Sequence, residues 1–222
     1  MALGVETLKN TQINKVAKVV KSRLSGARAS SADYFIREFY RDVPPQDLLD
    51  EDPENLYGAG LSLWQFGAVR KPGRAKVRVY NPEVEEHGWR SSHTIIEIVN
   101  DDMPFLVDSV TMELNRRDLT VHLVIHPTFA VQRNGEGKAK TFKTVTERAN
   151  GAVRESLMHV QIGEQTSPEA LKSIEKGVLK VLNDVRAAVN DWRAMLQQVE
   201  ESISELATTP AKLDREEVDE AI

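Results

Sequence analysis

Apolar residues change their spacing twice along the chain, and these changes divide it into three zones. In residues 1–74 they recur near every 3.6 positions, as on one face of a helix. Gly26 breaks the pattern, and a second helix is predicted from about Ser31 until Pro44-Pro45 stops it. Asp52-Pro53-Glu54 supplies an N-cap oxygen, a first-turn proline and an acid, which predicts a third helix to about Val69. The first helix carries Val5, Leu8, Ile13, Val16, Val20 and Leu24.

The second zone, residues 75–165, follows a strand-like period of two. One helix is expected near 104–117, and Asn134-Gly135 is a strong hairpin turn. The alternation predicts antiparallel strands with one face buried. We therefore expect an α+β protein, with helices on one face of an antiparallel sheet. The predicted strands are Ala75–Tyr80, His93–Asn100, Leu119–Val131, Lys140–Val145 and Ser156–Ile162.

The third zone, residues 166–222, is dominated by one predicted helix over 167–207. Thr208 to Pro210 ends it, and Asp214 with Glu217 resembles the capping box of a further, truncated element. A helix of this length extends beyond a sheet of short strands, so its second half should pack on something else. The N-terminal helices, another subunit and a downstream region are the candidates. The apolar residues of that half are Val189, Trp192, Leu196, Val199, Ile203 and Leu206.

Composition narrows the class of protein. Hydrophobic residues make up 41% and charged residues 28% of the 222 positions, as in soluble globular proteins. No apolar run is long enough to span a membrane, and the start lacks a secretory signal pattern. The absence of cysteine removes disulfides and thiolate chemistry and fits a reducing compartment, so we expect a cytoplasmic protein. The net charge of -5 argues against nucleic-acid binding.

Motifs for nucleotide chemistry are missing from the sequence. No glycine-rich phosphate turn follows a strand, and neither a P-loop nor a G-x-S-x-G elbow is present. The nearest feature, Gly58-Ala59-Gly60, falls in a helical pattern and indicates close helix packing. The sequence thus predicts neither NAD binding nor dehydrogenase activity for this chain alone.

The histidines and the basic residues give weaker signals of a metal site and of a phosphate-binding surface. His122, His126 and His159 are predicted to share the sheet face away from the helices, but residues four apart on a strand lie ~13 Å apart, too far for one metal ion. No metal site is expected. A basic run is interpreted as a solvated linker and strand edge rather than a phosphate-binding surface. It consists of Arg70, Lys71, Arg74, Lys76 and Arg78.

The turn between the second predicted strand and the following helix is the best candidate site. Backbone N–H groups there could hold a carboxylate, and the two acids could hold an ammonium group, as an amino acid would require. The alternative is that Asp102 only caps the helix. The candidate ligand-binding residues are Asn100, Asp101, Asp102, Met103 and Phe105.

The segments DDMPFLVDSV, VPPQDLLDEDPENLYGAGLSLWQFG, KVRVYNPEVEEHGW and ESLMHVQIG carry a family resemblance. The first resembles the ACT-domain loop, with Asp102, Pro104 and Leu106 matching, Met103 replacing a basic residue and Phe105 replacing a glycine. Together the segments resemble the N-terminal region of the large bacterial NAD-specific glutamate dehydrogenases. The resemblance implies an ACT-like, ferredoxin-like fold.

It further implies a non-catalytic regulatory or assembly module. The parent enzymes deaminate L-glutamate to 2-oxoglutarate with NAD in a downstream region, so NAD belongs to the parent and no cofactor to this fragment. The implied partners are the downstream domains, other subunits of a homo-oligomer and an amino-acid effector. Loss of the glycine at Phe105 favours assembly over ligand binding. A strict amino-acid-binding sensor and a small stand-alone enzyme are the alternatives.

Overall fold

The computed structural model describes residues 2–147 and 150–208 of the chain. The chain divides into two compact units, Met1–Leu182 and Asn183–Ile222. The predicted boundary between residues 74 and 75 falls inside the first unit. The truncated element expected near Asp214 lies outside the described residues.

The N-terminal part of the first unit is helical, as predicted. Asp52 caps α4 through its side chain, which accepts a hydrogen bond from the Glu54 N–H at 3.0 Å. The second helix begins at Gly26, five residues earlier than Ser31, because Gly26 takes a positive φ of 57° and the chain turns there. The short third helix had no recognisable sequence period. The four helices are α1 (Ala2–Arg23), α2 (Gly26–Tyr40), α3 (Gln46–Leu49) and α4 (Pro53–Gly67).

An antiparallel sheet of six strands follows, which confirms the α+β class. Its strands are β1 (Lys76–Tyr80), β2 (Thr94–Asp101), β3 (Val121–Ile125), β4 (Thr128–Arg133), β5 (Ala139–Thr144) and β6 (Val153–Ile162). The order across the sheet is β1-β2-β6-β4-β5, with β3 also pairing with β6. Among the described residues, two α-helices, α5 (Val84–His87) and α6 (Leu106–Arg116), and a short 3-10 helix, Val145–Glu147, interrupt the strands.

The single strand predicted over Leu119–Val131 is two strands. His126 and Pro127 separate β3 from β4, and both strands pair with the same edge of β6. Pro127 has no N–H to donate to a ladder, so the strand is interrupted where the alternation of side chains had suggested continuity. The predicted hairpin at Asn134-Gly135 is confirmed, since Asn134 connects β4 to β5 and its side chain accepts the N–H of Lys138 at 2.9 Å.

Helices cover both faces of the sheet. Val99, Ile125, Phe129, Val131 and Leu157 share one hydrophobic core with α1, α2 and α4. Their strand neighbours point to the opposite face because side chains alternate along a strand. That second face is also buried, and the apolar residues of α6 and of the first part of helix α7 (Pro168–Thr208) are buried with it: Ile96, Ile98, Met158, Val160, Val110, Leu114, Ile174, Val178 and Leu182.

The second unit contains the later turns of α7. Five of their large apolar side chains are exposed by 37–59%, whereas Val185 is buried. We refer to Trp192, Leu196, Val199, Ile203 and Leu206 as the α7 stripe. Within the described residues, no helix is long and apolar enough to cross a bilayer.

Candidate functional site

The predicted ligand-binding turn joins β2 to α6. Asn100 is fully buried opposite Ser156, and Asp101 is the last residue of β2. Phe105 occupies the N-cap position of α6 with a φ of 69°, and its side chain makes no capping hydrogen bond. The alternative role for Asp102 as the helix cap is therefore wrong. Phe105 holds the left-handed conformation that a glycine would adopt without strain, and its side chain is 66% exposed.

Both acids of this turn are bound by arginines of the same chain. An Asp101 Oδ1 lies 2.7 Å from the Arg70 guanidinium, on the face of the sheet that packs against the N-terminal helices. Asp102 pairs with Arg154 at 2.8 Å, and its N–H donates to the Arg154 carbonyl at 3.0 Å. Any ammonium group binding here has to compete with these guanidinium groups. Ligand binding at Asn100, Asp101, Asp102, Met103 and Phe105 stays a prediction.

Behind the turn lies a buried ionic network centred on Glu155. This carboxylate is 1% exposed and contacts two guanidinium groups, those of Arg70 and Arg133, which are 2% and 6% exposed. Arg133 also donates to the carbonyls of Gly67 and Gly137 at 2.9 and 2.8 Å. The hydrogen bonds satisfy the buried charges, as burial of an ion pair requires. The network fixes the β2 turn to the end of α4.

The basic run of residues 70–78 is only partly the solvated edge that the sequence suggested. Arg70 belongs to the buried network, and Lys76 donates to the carbonyls of Phe66 and Val69 at 2.7 and 3.0 Å. Arg78 pairs with Glu97, which is fully buried. Because each acid is distant in sequence from its arginine, local spacing held no signal of these pairs.

The three histidines do not share one face, so that prediction is wrong. His159 is fully buried, because the sheet face away from α6 is covered by the N-terminal helices, and its ring meets Phe39 at 5.7 Å between centroids. His126 lies 2.5 Å from the Ser156 hydroxyl, and His122 is exposed beside His93. Burial lowers the pKa of His159 to about 4. Among the described residues no group of three potential ligands could hold a metal ion.

A cavity of about 420 Å³ lies between the sheet and helices α3 and α4, and no sequence pattern predicted it. Trp89 and His159 line it, together with Leu56, Leu123 and Ile125. Asp47, Glu51 and Arg90 also border it, and these three residues are exposed. The cavity thus combines a buried, largely apolar part with charged groups at the solvent side.

Two buried polar atoms, on residues that line the cavity, have no partner among the described residues. These are Trp89 Nε1 and His159 Nδ1, on side chains that are 3% and 0% exposed. An unsatisfied buried donor typically costs about 1–3 kcal/mol, so most native proteins supply a partner for such groups. The two rings are neighbours, with centroids 6.2 Å apart.

Gly58 of α4 allows Trp89 to take this position. A Cβ added at Gly58 would lie 2.2 Å from the Trp89 Cβ, closer than any real contact. A Cβ at Gly60 would lie 2.8 Å from the Ile36 Cγ1 in α2. The predicted packing role of Gly58-Ala59-Gly60 is thus confirmed, and Gly58 also shapes the cavity wall.

Comparison with known proteins places the chain in a family. Residues 35–178 match the glutamate dehydrogenase ACT1 domain. The chain belongs to this family. It is 42% identical over 95% of its length to an NAD-specific glutamate dehydrogenase of Halomonas elongata, and 34% identical over 84% to one of Pseudomonas aeruginosa. A Mycobacterium tuberculosis protein of the same name is 24% identical over 72% of the chain.

The family match covers all three features described above. The matched region includes the β2 turn, the ionic network and the cavity, all within 35–178. The chain itself spans only 13%, 12% and 10% of the lengths of these three relatives. The match to the glutamate dehydrogenase ACT1 domain therefore covers the six strands and helices α3 to α6, but not α1, and most of each relative lies outside the aligned region.

Proposed function

We propose that this chain is a non-catalytic N-terminal module that regulates and helps to assemble a large NAD-specific glutamate dehydrogenase. The observation that carries the proposal is coverage: 95% of the chain aligns with the Halomonas protein but spans only 13% of it. The remaining length leaves room for a separate catalytic region. That region would carry out the oxidative deamination of L-glutamate to 2-oxoglutarate, in the cytoplasm.

NAD belongs to that catalytic region in this proposal. The described strand-to-helix turn, from Asn100 to Phe105, has no glycine-rich sequence to approach a pyrophosphate. The residues of this turn therefore do not fit a dinucleotide.

An assembly role is supported by the α7 stripe. Five large apolar side chains exposed by 37–59% follow one face of the helix. Monomeric proteins rarely leave contiguous apolar patches of this kind uncovered. We infer that the downstream domains or a second subunit cover the stripe in the assembled enzyme, and chemical cross-linking of the intact enzyme distinguishes the two.

The test of the non-catalytic role uses the intact dehydrogenase. Glu51, His93 and His159 are the titratable groups of the cavity whose loss would matter most if the cavity performed chemistry. Removing a general acid or base typically lowers kcat by about 10²–10⁴-fold. We expect Glu51→Gln, His93→Gln and His159→Gln each to leave kcat within about threefold, far below that range. A hundredfold loss with unchanged subunit mass and melting temperature would contradict the proposal.

The isolated chain gives a second test. We expect no glutamate-dependent NADH formation and no saturable NAD binding. Either observation would favour the stand-alone enzyme instead.

A strict amino-acid sensor is the second candidate function, and one observation favours it. Two residues that line the cavity carry buried polar atoms without partners in the described part of the chain, and exposed charges of both signs border it.

A further inference from the structure

We propose that a groove along α4, which has Arg23 at one end and Lys76 with Arg78 at the other, binds a small molecule that carries a phosphate group. The groove shares no lining residue with the cavity at Trp89 or with the β2 turn. Binding there goes beyond the proposed function and is tested separately from it.

The groove has the size of a small-molecule site. Its volume of about 530 Å³ lies in the range of ligand pockets. Tyr57 and Phe66 both line it, and their positions on α4 are roughly 13 Å apart along the helix axis. Leu61 lies between them on the same wall. The groove is therefore long enough to hold a charged group at one end and an organic body along α4.

Basic residues lie at both ends of the groove. Arg23 Nη2 is 2.8 Å from a carboxylate oxygen of Glu54, so the charge at the first end is neutralised. At the other end, Lys76 Nζ and Arg78 Cζ lie 4.2 and 4.8 Å from the Phe66 ring centroid. Two cations therefore share the Phe66 end.

One acid is paired with these two cations. Glu97 accepts hydrogen bonds from Arg78 through Oε2 and from the Tyr80 hydroxyl through Oε1, so it neutralises Arg78 alone. No carboxylate in the described part of the chain forms an ion pair with Lys76. Burial and the nearby guanidinium groups of Arg78 and Arg133 lower the pKa of Lys76. The ammonium charge of Lys76 is thus held without a matching anion.

Hydrogen-bond donors also remain at this end. Lys76 uses two of its three N–H groups on the carbonyls of Phe66 and Val69. Arg78 donates from Nε and Nη2, and its Nη1 has no hydrogen-bond partner in the described part of the chain. The Arg78 side chain is 36% exposed, so a ligand can reach it. The sequence suggested a solvated strand edge for both residues, but the fold places them on the wall of the groove.

A phosphate group matches this combination of charge and donors. It carries about −1.5 to −2 charges at pH 7 and three acceptor oxygens, so it can accept from Lys76 and Arg78 at once. A carboxylate offers a single charge and two oxygens. Glu86, an acid on the groove wall, has its side chain 76% exposed, where solvent screens its charge. Tyr57 and Leu61 supply the contacts for an organic body, which favours a phosphate monoester.

The direct test is calorimetric titration of the 222-residue chain at pH 7 with two phosphate monoesters, adenosine monophosphate and glucose 6-phosphate. Adenosine, glucose, succinate and inorganic phosphate are the comparison ligands. We expect at least one monoester to bind saturably, and about tenfold or more tightly than its counterpart without phosphate, as for a charge-assisted hydrogen bond.

The comparison ligands decide the chemistry of the site. Inorganic phosphate should bind more weakly than the better monoester, because it lacks the organic body. The proposal is overturned if neither monoester binds, or if succinate or inorganic phosphate binds as tightly as the better monoester.

A matched pair of variants locates the binding. Lys76→Gln removes the charge but keeps amide donors for the two α4 carbonyls, and should weaken binding about tenfold or more. Lys71→Gln is the control, since Lys71 belongs to the same basic run but is exposed and does not line the groove. Arg78 is left unchanged because its loss would leave the buried Glu97 unpaired. Equal affinities of the two variants would overturn the assignment.

Nuclear magnetic resonance gives a readout that needs no variant. A phosphate group beside Lys76 favours the charged ammonium form and should therefore raise its pKa. Titration of ¹⁵N-labelled lysine side chains, with and without the better monoester, measures this change, and Lys71 is the internal reference. Binding that leaves the pKa of Lys76 unchanged relative to that of Lys71 would overturn the proposal.

Discussion

Arg133 and Glu155 form a two-point ion pair between neighbouring strands, with guanidinium nitrogens 2.7 Å from both carboxylate oxygens. Arg70, which follows α4, contacts the same carboxylate. Glu155 and Asp101 together therefore neutralise two buried guanidinium groups. This network therefore holds the β2 turn, β4 and β6 together.

Replacing Glu155 should therefore strongly destabilise the folded chain. Glu155→Gln leaves two buried guanidinium groups with too little negative charge, and removal of one partner of a buried pair typically costs about 3–5 kcal/mol. Urea unfolding should report a loss in that range. Glu136→Gln, in an exposed pair with Lys138, is the control and should change stability by less than about 0.5 kcal/mol. Equal effects of the two substitutions would contradict the role of the network.

His159 should make stability depend on pH. Burial lowers its pKa from 6.5 to about 4, so the unfolded chain binds a proton there that the folded chain does not. The stability contributed is present above pH 6.5 and is lost as the pH falls towards 4, at about 1 kcal/mol per pH unit near pH 5. The free energy of unfolding of His159→Gln should depend less steeply on pH between about 4 and 6.5. An equal slope for His159→Gln and the parent chain would contradict this prediction.

Phe105 should limit stability through its backbone. Its φ of 69° costs an L-residue roughly 1–2 kcal/mol. Phe105→Gly should therefore be about 1 kcal/mol more stable than Phe105→Ala, which keeps the strain but lacks the ring. Thermal unfolding of the two variants is the comparison. A glycine variant no more stable than the alanine variant would show that the turn relaxes without strain.

Gly58 and Gly4 both lie in helices, and replacing each of them by alanine should change the stability in opposite directions. Gly58→Ala places a methyl group against Trp89 and should destabilise the chain by about 1–3 kcal/mol. Gly4 has nothing within 4 Å, so Gly4→Ala should raise stability by up to about 1 kcal/mol. Chemical denaturation distinguishes these outcomes, and a neutral Gly58→Ala would mean that Trp89 moves freely.

The α7 stripe should govern association. Trp192→Asp with Leu196→Asp places charges on the exposed apolar face, and we expect a lower mass in solution by light scattering, with the sheet intact by circular dichroism. Ala194→Asp with Gln197→Asp adds the same charge on the opposite helix face and should leave the mass unchanged. Equal masses for both double variants and the parent chain would refute self-association through the stripe.

The sequence predicted secondary structure correctly where the signal lies within a single helix or strand. The cap at Asp52, the alternation in β1 and the long stripe of α7 are local signals, and the structure has the corresponding elements. His159 was misplaced because nothing local shows that the N-terminal helices cover its face of the sheet. The cavity and the Arg133–Glu155 pair escaped prediction for the same reason: each joins residues that only the tertiary fold brings together.

Strand β6 has a consequence for how the chain is made. Without it, the described sheet separates into the β1–β2 and β4–β5 hairpins, and β3 has no strand to pair with. Of the six described strands, residues 153–162 are the last to leave a ribosome. Until they do, the earlier strands expose open edges, which are the surfaces that aggregate or recruit chaperones. The sheet can therefore form as a whole only after β6 has been synthesised.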